Sequence, residues 1–493
     1  MSDEFDYFNF RGEPLIVWLL RPHNEHTIVF TKAWFALLGN FVGLRSYVLY
    51  MIPIVACHLV VVATIYRLTW RSTNSRVIAT GVALVSLAMG AAVGTLTWAG
   101  QLQYVGSVAA GLIVVSLAIE SSGRRELAIA MIAAVVGTLN GSAFVAFGLA
   151  AALVYGRRRL WTEALAVAAI PLGWEVVNRL VWAPQDPYAA TGLGQILDQG
   201  PSFAYAILDT AISWTLLETY LSVVVLAALV LGTLTLISLD SRRRRTAVSR
   251  RVVVALVVAA ILTMFSLIVA RLSLPAGSWH AGQYSYLFLA SLVPVGGILL
   301  GHMARSRAAL VTAGIVLLTV SVMGVATFYV ISPSLQSRKT NGAHLMQTAA
   351  AELNAGMPTF PDQIPVPDTA STVSQERLRA LAATGQLDAT IVGPVEADQA
   401  SLNMQWRLVP ASQAAGTCRD LTVGESFAVP VGMVVLMAGL SPDSAVHLQY
   451  TSTSASRQFP VPLATVSLQS VSQRPAVVTV EAASVLVCMP GRV

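Results

Sequence analysis

The densest set of side chains able to do chemistry lies in the first 46 residues. Asp3-Glu4-Phe5-Asp6 opens the chain, and Arg21-Pro22-His23-Asn24-Glu25-His26 follows a short apolar run. A carboxylate such as Asp3, Glu4 or Asp6 can deprotonate a hydroxyl as it attacks. Cations such as Arg21, His23 and His26, with Arg271 and His280 far along the chain, can stabilise an anion as it departs. His23, Glu25 and His26 also look like part of a divalent-metal site, but no further partner stands at a metal-type spacing. Hydrogen bonding is the expected role of that group, and neither a metal nor another cofactor is indicated.

Such groups need a frame. Of the 493 residues 55% are hydrophobic and 11% charged, against about 25% charged in an ordinary soluble chain. The mean hydropathy is +0.67. No globular core buries that much apolar side chain, whereas a bilayer does. The net charge of +6 does not imply nucleic acid, because the arginines stand in short clusters between apolar runs.

A bilayer core takes about 20 apolar residues per helix. Eight candidate spans cover 47–66, 77–95, 104–119, 160–182, 221–238, 252–272, 284–301 and 308–330. A further run over 124–159 is broken at Thr138-Leu139-Asn140-Gly141-Ser142. It reads as a short helical or re-entrant hairpin whose polar turn is sheltered by neighbouring helices, since unpaired backbone cannot face lipid. About ten crossing segments result. The clusters Arg67/Arg71/Arg76, Arg124/Arg125, Arg157–Arg159, Arg242–Arg245 with Arg250/Arg251, and Arg305/Arg307 all go to the cytoplasm by the positive-inside rule. Every other connection then lies outside, including 183–206 and everything after 332. Residues 1–46 also fall outside, so a further helix is expected ahead of Met1. Glu175, with Asn178 and Arg179 one turn on, is expected to face an internal cavity as an ion pair, because a lone carboxylate in a membrane is costly.

The outer segment 1–46 has helical apolar periodicity over 14–20 and 28–38, too short to span and suited to interfacial helices. An acidic pair and interfacial helices in the first outer loop of a membrane bundle resemble the GT-C superfamily, membrane glycosyltransferases that take sugar from a polyprenyl-phosphate carrier. Asp3-Glu4-Phe5-Asp6, then Arg21 to His26, then Gly43-Leu44-Arg45-Ser46-Tyr47 look most like uncharacterised actinobacterial members, over roughly 3–330. The resemblance implies a hexosyl- or pentosyltransferase with Asp3 or Glu4 as catalytic base. It further implies Asp6, Arg21, His23, Glu25, His26, Arg271 and His280 around the carrier and acceptor. In that family the acidic pair follows the first helix directly, in keeping with a helix ahead of Met1. Where an Arg-Tyr pair would open the span at 284, this chain has Gln283-Tyr284, which removes a cation from that carrier contact. The implied partners are membrane lipid, a polyprenyl-phosphate sugar donor and a glycan or lipid acceptor of the cell envelope, with no nucleic acid. The absence of a Gly-rich phosphate loop disfavours a nucleotide-sugar donor. The competing class is a transporter or flippase with an accessory outer domain. It would show matched broken helices in repeated halves, and only the break near Asn140 is present.

After Pro333 the sequence turns Pro-, Ser-, Thr- and Gln-rich. Helical patterns cover 343–355 and 374–384, and short alternating runs at 427–434, 446–451, 464–471 and 476–480 read as a β-sandwich. The expected organisation is therefore an outer loop (1–46), a transmembrane bundle (47–331), a linker with short helices (332–400) and an extracytoplasmic, mainly-β sandwich (401–493). By architecture this last part resembles the sugar-binding jelly rolls of actinobacterial arabinosyl- and mannosyltransferases. Of three cysteines, Cys57 sits in an apolar run. Cys418 and Cys488 lie near the ends of the sandwich, where a disulfide is the expectation if that domain is outside. The whole reads as a multi-pass cell-membrane protein. Cysteines introduced at Ser241 and Ser306 should resist a membrane-impermeant thiol reagent in intact cells, while one at Ser278 should react. Labelling at Ser241 from outside would overturn the topology.

Overall fold

The computed structural model describes all residues except 1–6, 8–13, 24–25, 44–46, 121–122, 183–188, 191, 217–231, 234–243, 274–281, 305, 366–372, 411–416, 423–424, 430–434, 439–444, 451–454, 461–464, 471, 473–475, 482–483 and 490–493. Asp3, Glu4, Asp6, Glu25, His280 and the span expected at 221–238 lie outside the described residues, as do the side chains of Gln283 and Cys418. The chain divides into two compact units, Gly12–Phe35 with Val48–Leu335, and Met1–Arg11 and Ala36–Tyr47 with Gln336–Val493.

The first unit is helical. Its helices are α1 (Leu15–Leu20), the start of α2 (Val29–Phe41), α3 (Val48–Thr73), α4 (Arg76–Leu87), α5 (Val93–Leu96), α6 (Leu102–Glu120), α7 (Arg124–Asn140), α8 (Phe144–Arg157), α9 (Trp161–Trp182), α10 (Leu193–Leu216), α11 (Arg244–Arg271), α12 (Gly282–Met303) and the start of α13 (Arg307–Asn354). Seven stretches are long and apolar enough to cross a membrane: Val48–Thr73, Arg76–Leu96, Ala99–Glu120, Trp161–Trp182, Ala247–Arg271, Tyr284–Met303 and Arg307–Asn354. They correspond to the seven expected spans that fall on described residues and make this a multi-pass membrane protein. On α3 the buried positions Ile54, His58, Val61, Ile65 and Leu68 follow helical spacing. The opposite face is also apolar, with Ile52, Val55 and Leu59 exposed, which suits lipid rather than water. Helix α6 is buried nearly throughout, and its small residues allow close packing. The run over 124–159 forms the expected hairpin, α7 and α8.

Arg67, Arg71, Arg158 and Arg250 stand at one end of this bundle. Glu120 at the end of α6 pairs with Arg67 (2.5 Å) and Arg71 (2.9 Å) of α3. Arg158 donates to the Ala118 carbonyl at 2.6 Å, and Ser249, beside Arg250, donates to that of Ser72 at 2.8 Å.

Three expectations are corrected. The outer connection at 183–206 contains most of a 24-residue helix, α10. Its buried residues Phe203, Ala206, Ile207, Thr210 and Ala211 recur every three to four positions, a pattern hidden by its low total hydropathy. The span at 77–95 is not one α-helix: α4 ends at Leu87, and a 3-10 turn at Gly90–Ala92 precedes α5. The helix of the last span does not stop near Pro333; α13 runs 48 residues through that proline, and Leu and Ala, good helix formers, recur beyond it.

The second unit holds the end of α2, the end of α13, α14 (Gln375–Ala383), α15 (Pro394–Gln405) and nine strands: β1 (Trp406–Pro410), β2 (Thr417–Thr422), β3 (Ser426–Val429), β4 (Val435–Ala438), β5 (Ala445–Tyr450), β6 (Ser456–Pro460), β7 (Thr465–Ser470), β8 (Ala476–Glu481) and β9 (Ser484–Met489). One sheet has the order β1-β7-β4-β9-β2 and the other β3-β8-β5-β6. With β1 set aside, this is how a jelly roll interleaves its Greek keys. Val429, Val446, Leu448 and Val478 from one sheet share a core with Val435, Met437, Leu468 and Val487 from the other. Arg457 binds this core to α15, donating to the carbonyls of Leu402, Asn403 and Trp406 at 2.6–3.1 Å, groups that a helix end otherwise leaves unpaired.

In the β2–β9 ladder Cys418 stands directly opposite Cys488. Facing Cα atoms in an antiparallel pair are about 4.5–5.5 Å apart, inside the range a disulfide spans. The register therefore predicts a Cys418–Cys488 bond, typically contributing about 2–4 kcal/mol. Non-reduced peptide mass spectrometry of protein from its native membrane should find the linked pair; two free thiols would exclude it.

Candidate functional site

The connection between α1 and α2 is held from within. The backbones of His23 and His26 exchange hydrogen bonds of 2.8 and 3.1 Å, which pairs the two residues. Beneath them the buried Lys32 of α2 donates to the carbonyls of Trp18 and Arg21, with its ammonium 5.4 Å from the centre of the Trp18 ring. The Trp174 indole N–H of α9 reaches Thr27 Oγ1 at 3.1 Å. Together these contacts fix where the His26 imidazole stands.

The α7–α8 turn meets it. Ser107 of α6 lies 3.2 Å from the carbonyls of both Gly137 and Gly141, one hydroxyl shared by two acceptors. At Gly106 a side-chain carbon would stand 2.8 Å from Asn140 Nδ2, so glycine lets the turn seat against α6. Ser142, next in the turn, has its hydroxyl 2.8 Å from His26 Nδ1. The other imidazole nitrogen, Nε2, lies 3.1 Å from Arg271 Nη2 at the end of α11. A guanidinium can only donate, so Nε2 accepts, Nδ1 carries the hydrogen, and it donates to Ser142. The Tyr104 ring stands edge-on at 6.4 Å.

These groups border a cavity of about 290 Å³ whose lining also includes Glu175, Arg179 and Thr263. Arg179 Nε donates to Glu175 at 2.9 Å. The Thr263 hydroxyl is buried there without a hydrogen-bond partner. Val145, Phe265, Leu267 and Leu287 supply apolar walls. A smaller hollow beside it, lined by Thr27, Thr138, Ser142, Glu175 and Asn178, holds the partnerless Oδ1 of Asn178. The arrangement presents two guanidiniums, an imidazole, a carboxylate and hydroxyls to one apolar-walled space. It suits a ligand with an anionic head and an apolar body. Among the described residues no cluster of three His, Cys, Asp or Glu side chains could hold a metal ion.

Of the site residues read from sequence, His26 and Arg271 meet across 245 positions, and Glu175 with Arg179 faces the cavity as an ion pair. Arg21, His23 and Tyr284 are not among the residues lining it. Tyr284 is buried in the bundle, and Arg21 takes part through its carbonyl. Lys32, Tyr104, Ser107, Ser142 and Thr263 were not legible as site residues. The one signal was a lysine and serines standing inside apolar runs. Compared with known proteins, the chain matches no family model, no curated protein and no solved structure.

The hairpin's packing is testable. A Cβ at Gly137 would stand 2.2 Å from the buried Phe144 ring, whereas one at Gly94 meets nothing within 4 Å. Gly137→Ala should therefore destabilise the purified protein by about 1–3 kcal/mol through overpacking, and Gly94→Ala should not. Equal thermal unfolding of the two variants would contradict the account.

Proposed function

We propose that this protein is a GT-C-type membrane glycosyltransferase. It moves a hexosyl or pentosyl group from a polyprenyl-phosphate carrier to a glycan or lipid acceptor of the cell envelope, on the outer face. The observation that carries this reading is the cavity, which sets Arg271, Arg179 and His26 beside apolar walls. A lipid-linked phosphate needs both, and Arg271 ends α11 opposite its arginine-rich start, the end read as cytoplasmic. By the same reading the β-rich unit follows a crossing from the cytoplasmic side and is extracytoplasmic.

In this reaction a carboxylate takes the acceptor's proton, the acceptor oxygen attacks the anomeric carbon, and the carrier phosphate leaves with the bonding electron pair. Arg271 and Arg179 neutralise that phosphate. Asp3 or Glu4 is the proposed base, with Asp6 and Glu25 near the acceptor.

The protein in membranes should transfer sugar from a polyprenyl-phosphate donor. Arg271→Ala should raise the KM for the carrier, and replacement of the true base by its amide should lower turnover by about two to four orders of magnitude. Parental rates from Asp3→Asn and Glu4→Gln alike would remove the base assignment. A parental carrier KM in Arg271→Ala would remove the phosphate site.

A further inference from the structure

The pairing of His26 fixes its protonation. While Arg271 Nη2 donates to Nε2 at 3.1 Å, no hydrogen can stand on Nε2, and the Nδ1 hydrogen is directed to Ser142 at 2.8 Å. The imidazole is neutral in this arrangement. A ligand phosphate entering the cavity offers Arg271 an anionic acceptor, and charge-assisted bonds to phosphate are stronger than one to a neutral nitrogen. Once the guanidinium turns to the phosphate, Nε2 is left facing an anion with its lone pair, which is repulsive. A proton there converts the contact into a second charge-assisted hydrogen bond.

We propose that the cavity binds a phosphate ester together with one proton, taken from solvent by His26 as Arg271 transfers its hydrogen bond from the imidazole to the phosphate. This rests on reading the cavity as a phosphate site and adds how that site is regulated: carrier binding is coupled to pH. Among the described residues, the charged and titratable groups around His26 are Arg271 of α11, Glu175 and Arg179 of α9, Tyr104 of α6 and the nearby His23. Neither a guanidinium nor a phenol takes up a further proton. Glu175 and His23 are the rival proton acceptors, and variants separate them from His26.

The bound state holds one more proton than the free state, so affinity strengthens as pH falls and weakens as pH rises, by up to about tenfold per pH unit. The probe is farnesyl methyl phosphate, a phosphodiester whose single charge is constant between pH 6 and 8.5. Any proton taken up therefore goes to the protein. Calorimetry on the full chain in detergent, repeated in buffers of different ionisation heat, counts that proton directly. The expected result is uptake approaching one proton in the parent, in Glu175→Gln and in His23→Gln, and none in His26→Gln, which still binds the probe but without pH dependence. Binding that is independent of pH and buffer in the parent would overturn the proton coupling and leave the phosphate reading standing. Uptake that survives in His26→Gln would overturn the assignment to His26. No binding of the probe at any pH would remove the phosphate reading and the coupling together.

Discussion

Inside a bilayer every backbone N–H and C=O must find its partner within the protein, and much of this bundle follows from that rule. Where the chain runs as uninterrupted helix, the rule is met automatically. Where it turns at Asn140-Gly141-Ser142, the Gly141 and Phe144 amides reach the carbonyls of Gly137 and Gly141, Ser107 adds its hydroxyl to both, and Gly106 leaves room for Asn140. The sheltered turn lays Asn140 against α6 and turns Ser142 to His26. The site grows from a necessity of packing: a turn seated there brings the hydroxyl that meets His26.

The same economy governs the charges. Arg271 ends its helix as a cation facing a neutral imidazole, and Arg179 is held by the carboxylate four residues earlier. Both guanidiniums border the cavity, where a ligand phosphate would compete with these partners. At the other end of the bundle Glu120 takes two arginines, Arg67 and Arg71. The two ends differ in kind: one joins helices through an acid shared by two arginines, while the other borders a cavity.

The bundle was largely legible in the sequence because a span advertises itself by length and apolarity, and seven such stretches stand where the runs predict. What failed were features set by neighbours. Helix α10 is amphipathic and modest in hydropathy, so its burial against α12 is invisible in a composition window. The continuation of α13 through Pro333 depends on helix-forming residues beyond the composition change. The β-rich unit was legible as strands by alternation, whereas its jelly-roll order and the facing of Cys418 with Cys488 are facts of register. In the site, the approach of His26 to Arg271 spans most of the bundle's length in sequence. The pattern could nominate both residues as outer-face cations, but only the fold makes them partners. Lys32 and Ser107 were hidden for the opposite reason: single polar residues in apolar helices look like tolerated exceptions until the carbonyls they satisfy are seen.

The proposed carrier site is the cavity between α8, α9, α11 and α12, with the chain of the lipid along Val145, Phe265 and Leu287. Photo-crosslinking tests this most directly. A polyprenyl phosphate bearing a diazirine on its first isoprene unit would be irradiated with the full-length protein in membranes, and the labelled peptides sequenced. Label is expected on the α8, α11 and α12 walls of the cavity, displaced by unlabelled carrier. Label confined to the outer faces of α3 and α9, and not displaced by carrier, would contradict it.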